Sequence, residues 1–523
     1  MTLKTLMMSA AAASALSLSG AFAPAAADKI VEEPLELEIF MHFRDKYGWN
    51  EEWPVAQKVA EKTGITLKGT APVGAGDTRE LFNLMIASGD IPDLVGGEFR
   101  GAGMKEAFDQ YGMEGAFLPL NDLIAEHAPE IQKVLDENPT IRAAISAPDG
   151  NIYYIPYLPD GDVGRVWFVR QDWLDKLGLE QPKSVDELYD VLVAFRDQDP
   201  NGNGVADEIP YFNRHAEEAI RLVNLWGARS TGSDSYHQFY IEEGAVVHPY
   251  AHENFKTGIM NVAKWYQEGL IDKEIFTRKS RARDELLGGN LGGATHDWIA
   301  STAGYNDKLA ADIEGFSFVP ILPPADVNGN VWEEHGRIAV KPSGWAIGYS
   351  NEHPEETIKL MNFYFTEEGR NIANFGVEGL TYDMVDGKAV FKDSVLNGEG
   401  SVVSQMWEIG AQIPIGFPQD YAYEAQWTSE LATKGIEMYT EAGVVVEQFP
   451  GIAMNAEEKA IYDKHWPNIL SFMQESYEKW ILGAGDVSAE WGDYQAQLER
   501  LGYAEVVAAL TTAYQRQYGS AGN

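Results

Sequence analysis

Cysteine is absent from all 523 residues. That excludes disulfides, thiol nucleophiles, Cys-based zinc sites and thiol redox chemistry, and it leaves no residue to carry the lipid of a bacterial lipoprotein. Basic residues are scarce: 40 Lys and Arg stand against 80 Asp and Glu, a formal charge of −40. A field of that sign repels nucleic acid and anionic membrane, and no basic patch stands out against it. Long apolar runs are missing too. Past the first 22 residues no charge-free stretch approaches the ~20 residues that span a bilayer. Enzyme signatures are likewise lacking: there is no His-Glu-x-x-His, no Gly-x-Ser-x-Gly and no Gly-Lys-Ser/Thr phosphate loop. Gly101-Ala-Gly103 is followed by Glu106 where a dinucleotide fingerprint needs glycine, so it reads as a loop.

What is present begins with Lys4, then a small and apolar run from Leu6 to Phe22. Two small-x-small sites follow, Ala21-Phe22-Ala23 and Ala25-Ala26-Ala27. The first would leave Pro24 beside the cut, so cleavage between Ala27 and Asp28 is favoured. Residues 1–27 therefore have the plan of a secretory leader and are left out of fold reasoning. The short, Ser- and Ala-rich core argues against a retained anchor. Residues 28–523 exceed the ~250–300 residues at which single cores stop growing, so two lobes are expected. An exported, cysteine-free, unlipidated chain fits a Gram-negative periplasm. The acidity keeps it soluble, and a salt-rich habitat would favour it too.

Leu35 to Phe43 alternates apolar and polar residues and then turns apolar, as a strand entering a core does. Helical spacing from Trp53 to Thr63 ends at Gly64; a strand at Ile65–Lys68, a helix from Asp77 to Ser88 and a strand at Pro92–Val95 follow. This βαβαβ opening implies a parallel sheet in an α/β lobe, with a ligand site at the carboxyl ends of its strands. His42, Arg44, Asp45, Tyr47 and Trp49 are thereby placed near a cleft rim, with ordinary loop surface as the alternative. Ile152–Tyr157 and Arg165–Arg170 are extended runs separated by Pro159-Asp-Gly-Asp162 and read as a crossing between lobes. Asp172–Gly178 is a short helix, and Ser184 with Glu187 forms a capping box for the next. The chain after Tyr421 is mostly helical, with Tyr462, Trp466, Leu470, Phe472, Tyr477 and Trp480 as core.

The most specific motif runs from Asp199 to Pro210. Calcium wants six to eight oxygens. Asp199, Asn201 and Asn203 fall at loop positions one, three and five, Gly204 at the sharp turn, Val205 at the backbone-carbonyl position and Asp207 at nine. Position twelve is Pro210, so Glu208 must close the shell two residues early. A structural Ca2+ pinning the helix end to the next strand is expected; the alternative is a metal-free Asn-Gly turn. Asp326-Val-Asn-Gly-Asn330 lacks the glycine at the turn position and reads as a hairpin.

Trp167 to Gly178, Pro182, Asp186–Tyr189 and Asp199–Pro210 together resemble the family 1 extracellular solute-binding proteins, in particular the large oligosaccharide-binding branch with the alginate-binding proteins and LplA-type lipoproteins. Trp265–Asp272, Pro354–Phe363 and Gly376–Tyr382 agree, so the similarity spans nearly the whole mature chain. Alginate-binding relatives share the early acidic closure seen at Glu208. Unlike Gram-positive members, the chain has no lipobox cysteine. The resemblance implies a two-lobed periplasmic-binding-protein fold of α/β class, with hinge strands and an interlobe cleft. It further implies a monomer that binds an oligosaccharide, closes on it by hinge motion and delivers it to ABC permease subunits, with no catalysis, no nucleic acid and no membrane insertion. In the family the lobes are discontinuous. The first would comprise 28–160 plus 322–355 and the second 161–321 plus 356–523.

Sugar binding needs aromatic faces for pyranose rings and planar polar groups for hydroxyls. Trp298, at the end of Gly292-Gly-Ala-Thr-His-Asp-Trp298, is the leading contact: a strand ending in a glycine-rich turn delivers it to a lobe edge, and the segment is similar to one where maltose-binding relatives place a stacking Trp. Trp49, Tyr157, Trp167, Tyr382 and Trp407 are further candidates, alongside His42 and Arg44. The competing function is an exported glycosidase or polysaccharide lyase, which 80 acidic residues could equip; a sensor or adhesin domain without transport is a third.

Overall fold

The computed structural model describes residues 29–519 apart from 73, 75, 100–102, 215, 231–238, 279–280 and 450. The expected leader at 1–27 and most of the Gly101-Ala-Gly103 loop lie outside the described residues. The opening follows the apolar pattern. Strand Leu35–Phe43 pairs in parallel with Ile65–Gly69 on one side and Leu94–Glu98 on the other. Helices Pro54–Thr63 and Thr78–Ser88 cross between them. Gly64 ends the first helix at φ 81°, where a Cβ would lie 2.6 Å from the Val31 carbonyl oxygen, so both backbone and space demand glycine. Asp77 caps the second helix by accepting from the Glu80 N–H at 2.9 Å.

The first sheet runs Tyr47–Gly48, Leu35–Phe43, Leu94–Glu98, Lys341–Ile347, Ile155–Tyr157, with Ile65–Gly69 also paired to Leu35–Phe43. A strand from late in the chain thus lies between two early ones, antiparallel to both. The second sheet runs Phe318–Ile321, Arg165–Arg170, Gly292–Trp298, Ile209–Tyr211. Each sheet has its own apolar core, so the molecule is an α/β protein of two lobes. The chain passes between the lobes three times, after Tyr157, after Ile321 and after Trp427. No helix among the described residues is long and apolar enough to cross a membrane.

Three local expectations are corrected. Residues from Ile358 to Tyr423 pack in the first core, not with the second lobe. Helix Pro354–Phe363 follows directly on strand Lys341–Ile347 and folds back onto it, which periodicity alone does not reveal. Gly292 and Gly293 lie inside a strand and not in a turn, because a Cβ there would meet the Phe212 and Phe195 rings at 2.6 and 2.5 Å. The Ser184 side chain accepts from the Glu187 N–H, but the Glu187 carboxylate reaches past it to the Lys183 N–H at 2.7 Å. The last three helices, Ala456–Ile481, Val487–Leu501 and Tyr503–Tyr518, close the second core around Trp466, Tyr477 and Trp480 as expected.

Candidate functional site

Strands Leu35–Phe43 and Leu94–Glu98 end side by side, and the residues that follow build one wall. Arg44 turns the chain at φ 55° and lays its guanidinium 4.8 Å over the Trp407 ring, 3.9 Å from Glu98. Trp407 comes from helix Val402–Glu408 and donates its indole N–H to the Gln412 carbonyl at 3.0 Å. Tyr157 stands within 3.4 Å of the Gln412 side chain, and the Lys341 ammonium sits 5.5 Å above the Tyr157 ring. With Trp427 these groups wall a pocket of about 200 Å³. Tyr47 packs at its margin against Phe43 and donates to Glu408 at 3.0 Å. Asp45 accepts from the Thr78 N–H at 3.1 Å, which anchors the following helix.

Trp298 ends strand Gly292–Trp298 in the other lobe with 39% of its surface exposed. Its ring lies 3.4 Å from where a Cβ on Gly164 would be, and Arg337 approaches the same glycine. Arg337 in turn pairs with Glu424 of the pocket and donates to the Asp160 carbonyl at 3.1 Å. The indole and the first-lobe pocket therefore flank the same chain crossings. Aromatic faces, cations and amide groups set around the junction of two lobes can hold a hydroxyl-rich ring by stacking and hydrogen bonding.

Four expected contacts fall elsewhere. His42 is fully buried, 2.8 Å from the Thr78 hydroxyl and 3.3 Å from the Gly74 carbonyl. Its strand is buried on both faces from Ile39 onward, so its side chain ends in the core. Trp49 is buried against Trp53 and donates to the Leu67 carbonyl at 3.1 Å. Tyr382 is buried against Phe375. Trp167 is buried against Tyr211 and His296, beside a pocket of about 20 Å³ too small for a sugar ring. Trp427, Lys341, Glu98 and Arg337 were not anticipated. A tryptophan within a helical stretch carries no mark of cleft exposure, the strand expected at Pro92–Val95 runs on to Glu98, and Lys341 and Arg337 lie on segments that only the folded topology brings in.

Among the described residues, two places bring together side chains of metal-ligand type. In the Asp199–Glu208 loop, Asp199 (φ 46°) accepts from the backbone of Gly202, Asn203 and Gly204, and Asp207 is held by the amides of Asn201 and Asn203. The Asn203 side-chain oxygen accepts from the Val205 N–H at 2.6 Å. Glu208 is buried, its Oε2 has no partner, and burial with Asp199 and Asp207 alongside pushes its carboxyl above the usual range. An orphaned buried carboxylate oxygen beside two more carboxylates fits a hard cation. The second place is His296, Glu333 and His335. Arg221 lies 3.2 Å from His296 Nδ1 and can only donate, so Nδ1 is the acceptor and the proton on Nε2 points at Glu333, 2.8 Å away. A metal-binding histidine needs the opposite arrangement, with a free lone pair facing the ion.

A family model of the bacterial extracellular solute-binding proteins matches residues 48–371. The chain belongs to that family. A crystal structure of the alginate-binding protein AlgQ2 without calcium ion matches this solute-binding protein with a TM-score of 0.78 at 51% identity, covering 94% of this chain and 99% of that one. The fructooligosaccharide ABC transporter substrate-binding protein FusA of Streptococcus pneumoniae serotype 4 (strain ATCC BAA-334 / TIGR4) is 27% identical over 497 residues, 89% of this chain and 87% of FusA. Lipoprotein LipO of Bacillus subtilis (strain 168) is 22% identical over 481 residues, 88% of this chain and 89% of LipO. These likenesses favour a binding protein over an enzyme.

Proposed function

We propose that this solute-binding protein serves an ABC importer and captures a carboxylated oligosaccharide between its lobes. One observation carries the reading. In a chain of net charge −40, the first-lobe pocket joins Arg44 and Lys341 to Tyr157, Trp407 and Trp427. Rings supply stacking surface for pyranoses, and Arg44 and Lys341 offer cationic donors for a sugar carboxylate, while Glu98 and Glu424 of the same lining face Arg44 and Arg337. The 51% identity to an alginate-binding protein supports it, since alginate is a polymer of uronic acids. FusA supports delivery to an ABC transporter. Three crossings give the lobes a hinge, and closure would bring Trp298 toward the pocket. The leader and the lack of cysteine support export to a Gram-negative periplasm without a lipid anchor, and the monomer rests on the family resemblance alone.

A structural calcium ion belongs to the same proposal. Asp199, Asn201, Asn203, the Val205 carbonyl, Asp207 and Glu208 would hold it, tying helix Val185–Asp197 to strand Ile209–Tyr211. AlgQ2 has been crystallised without calcium ion, and FusA has been studied as an EF-hand mutant, which supports a cation at this loop in relatives.

Thermal shift and calorimetry with tetramannuronate, tetraguluronate, kestose and maltotetraose test the function. The acidic sugars should raise the melting temperature, less so as salt rises, and release no reducing ends. Binding of the neutral sugars alone would overturn the carboxylate reading. No response to any sugar would overturn the oligosaccharide, and steady release of reducing ends would make the protein an enzyme.

A further inference from the structure

Trp298 has one face turned into the protein, and what lies there is a cation. Arg165 is its partner across the antiparallel strands, and its guanidinium carbon stands 4.8 Å from the ring centroid. Arg165 is buried and donates to Glu218, itself fully buried, at 2.6 Å. Arg221 approaches the same carboxylate oxygen at 3.6 Å and also reaches His296, whose other nitrogen meets Glu333 on the segment that recrosses between lobes. The backbone beside the ring is fixed as well: buried Asp297 accepts from the Trp298 N–H at 2.7 Å and takes a two-pronged contact from Arg214.

We propose that Arg165 is a positioning residue for ligand capture. It seats the Trp298 indole in one orientation, closes its inner face and leaves the outer face for a sugar ring, while Glu218 holds the guanidinium in place. This rests on the reading of Trp298 as a ligand platform. Burying two arginines and a glutamate beneath a half-exposed tryptophan is a costly way to fill space, since apolar side chains would pack there without desolvating charge. The geometry instead uses what a guanidinium alone offers: a planar cation that stacks on an aromatic face while its edge makes a fixed ion pair. A platform held in its binding orientation loses less entropy on capture than one that must first be ordered.

Arg165→Lys retains an ion pair with Glu218 but loses the planar stack. Arg165→Met removes the cation over the ring and leaves Glu218 facing Arg221, so neither buried charge loses its last counterion. Both variants should melt within a few degrees of the parent and bind tetramannuronate about three- to thirtyfold more weakly by calorimetry. Neither change should weaken binding further in a Trp298→Ala background, because the two residues then no longer act together. A ligand-free readout accompanies this. In fluorotryptophan-labelled protein, the Trp298 resonance, assigned by its loss in Trp298→Phe, should shift and broaden on Arg165→Lys. Parent-like affinity in the Arg165 variants alongside weak binding by Trp298→Ala would overturn the proposal, as would an equal further loss in the Trp298→Ala background. An unchanged Trp298 resonance would overturn it whatever the ligand proves to be. Failure of the parent to bind any carbohydrate, with the resonance shifting as expected, would instead count against the proposed function.

Discussion

The two walls of the candidate cleft are built in opposite ways. The first-lobe pocket gathers Arg44, Tyr157, Lys341, Trp407 and Trp427 from five separate stretches of chain. The second lobe offers a single indole at the end of one strand, backed by its cross-strand neighbour. The Asp199–Glu208 loop, also in the second lobe, is a single run of ten residues. The dispersed wall can change its chemistry one residue at a time while the sheet beneath it stays intact. The compact platform rests on a network of buried charges whose members contact one another, so its supporting residues act together. The first wall is thus suited to selecting a sugar and the second to gripping one.

The largest expected effect is on the grip. Trp298→Ala should weaken oligosaccharide binding by about 2–4 kcal/mol, roughly thirty- to a thousandfold, with folding nearly unaffected. Equal calorimetric affinities for variant and parent would dissolve the contrast between the walls. Calcium should act next, on stability: with the ion at a hundred times its dissociation constant, chelation should cost about 2.7 kcal/mol. Asp207→Ala should melt early and no longer respond to chelator, whereas an unchanged curve in chelator with no bound metal would remove the ion. His42→Ala sharpens the assignment of that residue to the core: about 1–3 kcal/mol of stability should go, with affinity retained. The smallest effect is with pH. The Glu208 carboxyl is raised above its unfolded value, so the metal-free folded state holds a proton that the unfolded state has released. Metal-free stability should therefore fall as pH rises from the ordinary Glu range, near 4.5, through the raised value, and calcium should bind more weakly at the acid end. A metal-free melting temperature flat across that window would count against it.

The same contrast explains what could be read from sequence. Contiguous features were legible because their physics is local: the βαβαβ opening by apolar period and glycine caps, the Asp199–Glu208 loop by oxygen spacing, the late helices by their buried stripes. Arg44 could be placed because a strand's carboxyl end is itself a local feature. His42 and Trp49 were misplaced on that logic, since being near a strand end does not say which way a side chain points. His42 lies where the strand is buried on both faces, and Trp49 turns back onto Trp53. Lys341 and Trp427 escaped notice because their meeting with Tyr157 depends on the strand order of the first sheet.

The inserted strand Lys341–Ile347 also bears on how such a chain comes to be folded. Among the described residues, Ile155–Tyr157 has no other partner in its sheet, and Leu94–Glu98 has none on that side. A chain emerging amino end first therefore cannot complete its first sheet until Ile347 has appeared, after all four strands of the second sheet, nor its first core until Tyr423. Pairings of such sequence separation form slowly. Under the proposed export of the chain in extended form, that delay would keep the polypeptide loose until it has crossed the membrane.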